Sequence, residues 1–188
     1  MGKILFINAC VRENSRTLEL ARCVLDNLAG EVEERRLYET ALSPLDAVGM
    51  RARDAAFAAK DFSDARFDLA RQFAAADEIV IAAPYWDLMF PSILKTYFET
   101  VTVNGLAFVY SERGIPMGLC KAKRLIYVTT SGGPIINSFG YDYTRALAVS
   151  FYGISDVRYI SAEKLDIRGA DVEAILTAAK DSVPERLR

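Results

Sequence analysis

The 188-residue chain contains no histidine. That absence excludes histidine-ligated zinc and every nucleophile activated by a histidine base, and no metal site is expected. Cysteine is scarce: Cys10, Cys23 and Cys120 are widely spaced and odd in number, as suits reduced thiols in a cytosol and not a disulfide framework. No apolar run reaches the length of a bilayer span. The opening "MGKILFINAC" lacks the small-residue cleavage site of a signal peptide, and Phe6 stands where a myristoylation motif wants Ser or Thr, so it reads as a first strand and the expected location is cytoplasmic. An excess of one charge is also missing. Lys and Arg number 23 against 25 Asp and Glu, a net charge of −2, with no basic stripe for nucleic acid. Chemistry must therefore come from other side chains or from a cofactor.

What is present is an ordinary core. Apolar residues make up 52% of the chain and charged residues 26%, enough to bury one domain spanning 1–188, with no repeat, linker or low-complexity segment. Lys3 to Ala9, "EIVIAA" from Glu78 and "KRLIYVTT" from Lys123 are short apolar runs without alternation, the pattern of strands buried on both faces. "EVEERRLYE" is a charged strand suited to a sheet edge, and "SDVRYISAE" a last strand. Helices are expected over Ser15 to Leu28, over Asp64 to Ala76 with Phe67, Ala70, Arg71 and Ala74 along one side, and over Pro91 to Thr100 with Pro91 in the first turn. Two more are expected over Tyr141 to Tyr152 and Gly169 to Val183. Thr40 to Ser63 reads as a partly helical excursion, and "NGLAFVYSERGIPMG" as a loop or hairpin that leaves Phe108, Val109 and Tyr110 uncovered. Five strands alternating with helices predict one parallel sheet covered on both faces, with right-handed crossovers.

Such sheets bind ligands beyond the carboxyl ends of their strands. After the first strand, "ACVRENSRTLEL" brings Arg12, Ser15, Arg16 and Thr17 to a helix N-terminus, whose free N–H groups favour a phosphate. A plain N-cap by Asn14 or Ser15 is the simpler account of that loop alone. No GxGxxG or GxxxxGK[ST] is present. After the third strand, "APYWDLMFP" holds Tyr85, Trp86 and Asp87 between two prolines, flat surfaces for a planar ring and an acceptor for a ring N–H. After the fourth, "TTSGGPI" offers two successive glycines where backbone can approach a ligand. A planar heterocycle with a phosphate tail fits all three.

These stretches resemble the flavodoxin-like NAD(P)H:quinone oxidoreductases and FMN-dependent NADH-azoreductases. The likeness covers nearly the whole chain and is most specific over "APYWDLMFPSILKTYFETVTVNGLAFVY", with "KRLIYVTTSGGPI" and "GISDVRYISAE" in support. The resemblance implies a flavodoxin-like three-layer sandwich with strand order 2-1-3-4-5, an FMN cofactor, NADH or NADPH as reductant, a homodimer, and quinones, azo or nitro compounds as acceptors. It implies ping-pong hydride transfer through flavin N5. By position it assigns Arg12, Ser15, Arg16 and Thr17 to the FMN phosphate, Pro84, Tyr85, Trp86, Asp87 and Leu88 to the isoalloxazine, and Thr130, Ser131, Gly132 and Gly133 to its pyrimidine edge. Tyr141, Tyr143 and Tyr110 are the candidate proton donors.

This chain departs from the family in two places. Ala9 and Cys10 replace serines usual after the first strand, which shifts the phosphate to Arg12, Ser15 and Thr17. Asp87 stands where the family often has Asn, and its charge beside the ring is expected to lower the flavin potential. Two other readings stay open. A flavodoxin-type electron carrier predicts a stable half-reduced flavin, although such carriers are strongly acidic and this chain is nearly neutral. A phosphatase-like site would use Cys10 and Arg16, whose C-x5-R count fits but lacks the glycines of a backbone cradle.

Overall fold

The computed structural model describes residues 2–188. Its main sheet holds β1 (Lys3–Asn8), β2 (Glu31–Arg36), β3 (Glu78–Ala82), β6 (Arg124–Thr130) and β7 (Asp156–Ala162), all parallel, in the order β2-β1-β3-β6-β7. Counting only these strands, that is the expected 2-1-3-4-5. The charged strand β2 lies at the edge, where its polar residues meet water. β4 (Phe108–Tyr110) and β5 (Pro116–Gly118) form a separate antiparallel hairpin, as the glycine-punctuated stretch suggested.

Alternation inside the apolar strands distributes the core. Ile4, Phe6, Val80, Ala82, Ile126, Val128 and Ile160 face α1 (Arg16–Asp26) and α6 (Val172–Asp181). Leu5, Ile7, Ile79, Ile81, Leu125 and Tyr127 face α3 (Asp68–Ala75), α4 (Ser92–Val101) and α5 (Phe139–Leu147). Each fully buried Leu, Ile or Phe stabilises the fold by about 1.5–3 kcal/mol, so both layers are held chiefly by hydrophobic burial. The remaining helices are α2 (Ala47–Ala59), inside the expected excursion, and a short α7 (Val183–Arg186). No helix of the described residues is long and apolar enough to cross a membrane.

Three local expectations are corrected. Phe108 is buried, its ring edge-on to Tyr110 and Phe151 at 5.2 and 4.9 Å, so the hairpin covers its own aromatic anchor. The buried side of the third helical segment is Phe67, Ala70 and Phe73, while Arg71 and Ala74 are only partly buried; Arg71 turns its guanidinium back to the Phe62 and Asp64 carbonyls. Pro91 is the extended N-cap of α4 (ψ 141°) and stands outside its first turn.

Candidate functional site

Four loops converge at the carboxyl ends of β1, β3, β6 and β7 around a cleft of about 390 Å³. The first wall is the start of α1. Ser15 caps the helix, its hydroxyl accepting a long bond from Leu18 N–H at 3.4 Å. The N–H groups of Arg16 and Thr17 donate to nothing among the described residues, as expected of a helix's first turn. The Thr17 and Thr130 hydroxyls lie 2.6 Å apart and buried, tying α1 to the end of β6. Arg12 lines the cleft without an ion-pair partner among the described residues.

The second wall leaves β3 alongside β6, with Tyr85 N–H donating to Thr130 O at 3.0 Å. It then reverses in a tight turn in which Trp86 and Met89 exchange both backbone hydrogen bonds, at 2.9 and 2.8 Å. The central residues Asp87 and Leu88 have φ of +49° and +69°, a pair that defines a type I′ turn. Asp tolerates this conformation. Leu does not, and its Cβ costs about 1–2 kcal/mol there. The turn lifts Trp86 to 40% exposure, a flat aromatic surface open to a ligand.

The third wall is the glycine loop. Ser131 N–H is taken by Ala162 O at 3.0 Å, while the N–H groups of Gly132 and Gly133 donate to nothing among the described residues. The two glycines differ. A Cβ on Gly132 would overlap the Asp166 carboxylate as it is held by Arg16 and would displace it. A Cβ on Gly133 would meet nothing within 4 Å.

The structure therefore gathers Arg12, Ser15, Arg16, Thr17, Pro84, Tyr85, Trp86, Thr130, Ser131 and Gly132 on one cleft. Gly133 lies one residue beyond its lining, and Asp87 and Leu88 sit at the exposed tip of the turn and do not line it. Neither do Tyr141 and Tyr143. The Tyr141 hydroxyl donates to Val157 O at 3.0 Å, near the start of β7 and so at the opposite end of the strand. Tyr143 packs against Phe90 and Phe98, with Lys95 over its ring. Tyr110 is exposed on the hairpin. The fourth wall, Leu165 and Asp166 after β7, was not anticipated, nor were Val11 and Asn14. The strand-end rule that singled out three loops applies equally to a fourth, and "EKLD" was its signal.

Cys10 does not form a nucleophile site. Its N–H bonds Asn8 Oδ1 at 2.9 Å and its Sγ faces Ala82 O at 3.9 Å. Burial pushes the thiol from 9.0 to about 11, with a smaller opposing effect from Ser15 and a push from Glu34. A thiolate is thus disfavoured, and Arg16 is engaged by Asp166 (2.6 Å) instead of facing Cys10. The sign for folding follows: the folded state holds this proton more tightly than the unfolded one, so the stabilisation is complete below pH 9 and is lost as pH rises through about 11. Alkylation of Cys10 in the native protein is expected to stay slow at pH 9, where an ordinary thiol is half ionised, and to accelerate only toward pH 11. Mass-spectrometric rates across that range check it; a native-state midpoint at 9 would refute the buried thiol.

Comparison with known proteins agrees with this geometry. The family described as having a flavodoxin-like fold matches residues 2–187. The chain is 35% identical to an FMN-dependent NADH:quinone oxidoreductase of Clostridium beijerinckii, over 98% of both chains. It is 33% identical to another of Clostridium perfringens, over 92% of this chain and 91% of that one. In fold it is similar to the crystal structure of an azoreductase from Bacillus anthracis, with a TM-score of 0.84 at 22% identity over 98% of each chain. It is also similar to an FMN-dependent NADH-azoreductase from that species solved in complex with FMN, with a TM-score of 0.79 at 22% identity, covering 98% of this chain and 97% of the other.

Proposed function

The chain belongs to the flavodoxin-like family, and from that premise we propose that it is an FMN-dependent NAD(P)H oxidoreductase that reduces quinones and azo compounds. The observation that carries this reading is the single cleft in which an open helix N-terminus, an unpaired arginine, an exposed indole and the free N–H of Gly132 meet, with Gly133 next in the loop. These fit FMN on their own terms. The N–H groups of Arg16 and Thr17, the Ser15 hydroxyl and Arg12 are donors for a phosphate. Trp86 and Tyr85 supply flat surface for the ring, and Gly133 leaves room where a side chain would stand. When bound, FMN supplies two-electron hydride chemistry between a nicotinamide and an acceptor.

The chain's own part is to bind, orient and stabilise charge. The unengaged N–H groups of Gly132 and Gly133 would favour negative charge on a ring edge held against this loop, by the logic of an oxyanion hole. The chain has no histidine, and Tyr141 and Tyr143 are engaged away from the cleft, so neither of these two tyrosines would deliver a proton there. Donor and acceptor would use the same open side of the cleft in turn, in which case the nicotinamide would leave before the acceptor enters.

The chain acts as a homodimer in this reading. Trp86 on the cleft, Leu88 at the tip of the adjoining turn, and Ile136 and Phe139 in the segment that follows the glycine loop stand 40–69% exposed and offer apolar surface for a second copy. The purified protein is expected to be yellow, to oxidise NADH faster than NADPH with a quinone present, to give parallel reciprocal plots, and to sediment as a dimer. A colourless preparation that takes up no FMN from excess would end the proposal; intersecting plots would remove its ping-pong order.

A further inference from the structure

The fourth wall is strapped to the glycine loop. Lys164 takes a left-handed conformation (φ +66°), and Lys164, Leu165 and Asp166 donate their N–H groups to Gly133 O, Ser131 O and Gly132 O at 2.9, 3.1 and 2.8 Å. The Asp166 carboxylate lies against the position a Cβ on Gly132 would take, so a side chain there would have to push the carboxylate aside. From the other side Arg16 donates Nη1 to Asp166 Oδ1 at 2.6 Å and to Leu165 O at 3.2 Å. A carboxylate thus shares the cleft with one of the two arginines that face it.

Two effects of Asp166 on an anion in this cleft oppose each other. It helps hold the Arg16 guanidinium, and it puts negative charge beside that guanidinium. The first is backed up by the Leu165 carbonyl, which holds the same Nη1 whatever residue 166 carries. A guanidinium has five N–H donors, so Arg16 keeps others for a ligand. The second has no substitute: Arg12 is left as the one cation lining the cleft without an acidic partner among the described residues. Charge outweighs anchoring.

We propose that Asp166 sets the selectivity of the site between phosphorylated and unphosphorylated flavin, holding down the preference for FMN over riboflavin. The inference rests on the flavin reading above. Asp166 acts through the field at the phosphate end and not on the reacting atoms, so it determines specificity and is not a catalytic residue. Its consequence is a cofactor that exchanges with solution more readily than the rest of the cleft would allow.

The test is titration of flavin-free protein with FMN and with riboflavin, followed by quenching of flavin fluorescence, at low and high salt. Asp166→Asn keeps a carbonyl oxygen for Arg16 and removes the charge. It is expected to tighten FMN by about two- to fivefold, the range of exposed ion pairs, with riboflavin unchanged and the gain shrinking at high salt. Arg16→Gln is expected to weaken FMN and leave riboflavin unchanged. Equal shifts for both flavins, or weaker FMN binding by Asp166→Asn, would overturn the inference while leaving the flavin reading intact. A wild-type protein that binds neither flavin would overturn that reading, and this inference with it.

Discussion

Arg12→Glu is expected to strip FMN from the protein while leaving its affinity for riboflavin where it was. Arg12 lines the cleft beside the open first turn of α1 and is not neutralised by an acid. A hydrogen bond between a charged donor and a charged acceptor is worth about 1.5–3 kcal/mol. Reversing the charge forfeits that bond and adds repulsion to a group already near two negative charges at neutral pH. With about 1.4 kcal/mol to each factor of ten, the FMN dissociation constant should rise by about a hundredfold. Arg12 is exposed, so salt screens the repulsive part, and the difference from wild type should narrow as ionic strength rises. Titration of both flavins at low and high salt reads the effect. Equal loss for riboflavin would mean that the substitution deformed the loop, and unchanged FMN binding would move the phosphate elsewhere.

The loops that hold this arginine were legible because the sheet itself was. A parallel strand buried on both faces reads as an apolar run without alternation, and "KILFIN", "EIVIA" and "RLIYVTT" carry that signature through their middles without tertiary context. Once those ends were placed, the strand-end rule gave the cleft, and Ser15 marked the helix start that forms its first wall. What sequence did not carry is where loops turn. Asp87 and Leu88 stood in line with Tyr85 and Trp86 as ring contacts, but the Trp86–Met89 turn throws them to its tip, and no glycine or asparagine announces a type I′ turn there. Thr130 was assigned to a ligand's edge, yet its hydroxyl meets Thr17, a partner 113 residues away. Asp166 was invisible for the same reason: its role comes from Arg16, 150 residues distant, and from Gly132. Helix α2 shows the limit most plainly. Its apolar residues are spread around the helix with Arg51, Arg53 and Asp54 among them, and only Ala56 is buried, so no periodic stripe fixed its orientation in advance.

Two glycine-to-alanine substitutions should separate folding from ligand binding. Gly118 ends the hairpin where it crosses the turn after α5, and a Cβ there would fall inside contact distance of Tyr152 C and O and of Gly153 N. All three are backbone atoms, so no rotamer change relieves the clash. The hairpin would have to lift, and with it Phe108 from its contact with Phe151. Overpacking of this kind costs about 1–3 kcal/mol and occasionally more; against rigid backbone Gly118→Ala should lie at or above the upper end. Gly133 has the opposite surroundings. Its φ is not left-handed and an added Cβ meets nothing, so the folded protein has no need of glycine there. If glycine is kept for a ligand's approach, Gly133→Ala should leave the denaturant midpoint unchanged and weaken flavin by about tenfold, a methyl's worth of crowding against a rigid ring. Urea unfolding and flavin titration on both variants decide the matter. A fully stable Gly118→Ala would show that the hairpin does not dock as described, and a Gly133→Ala that binds flavin normally would take the ring away from the glycine loop.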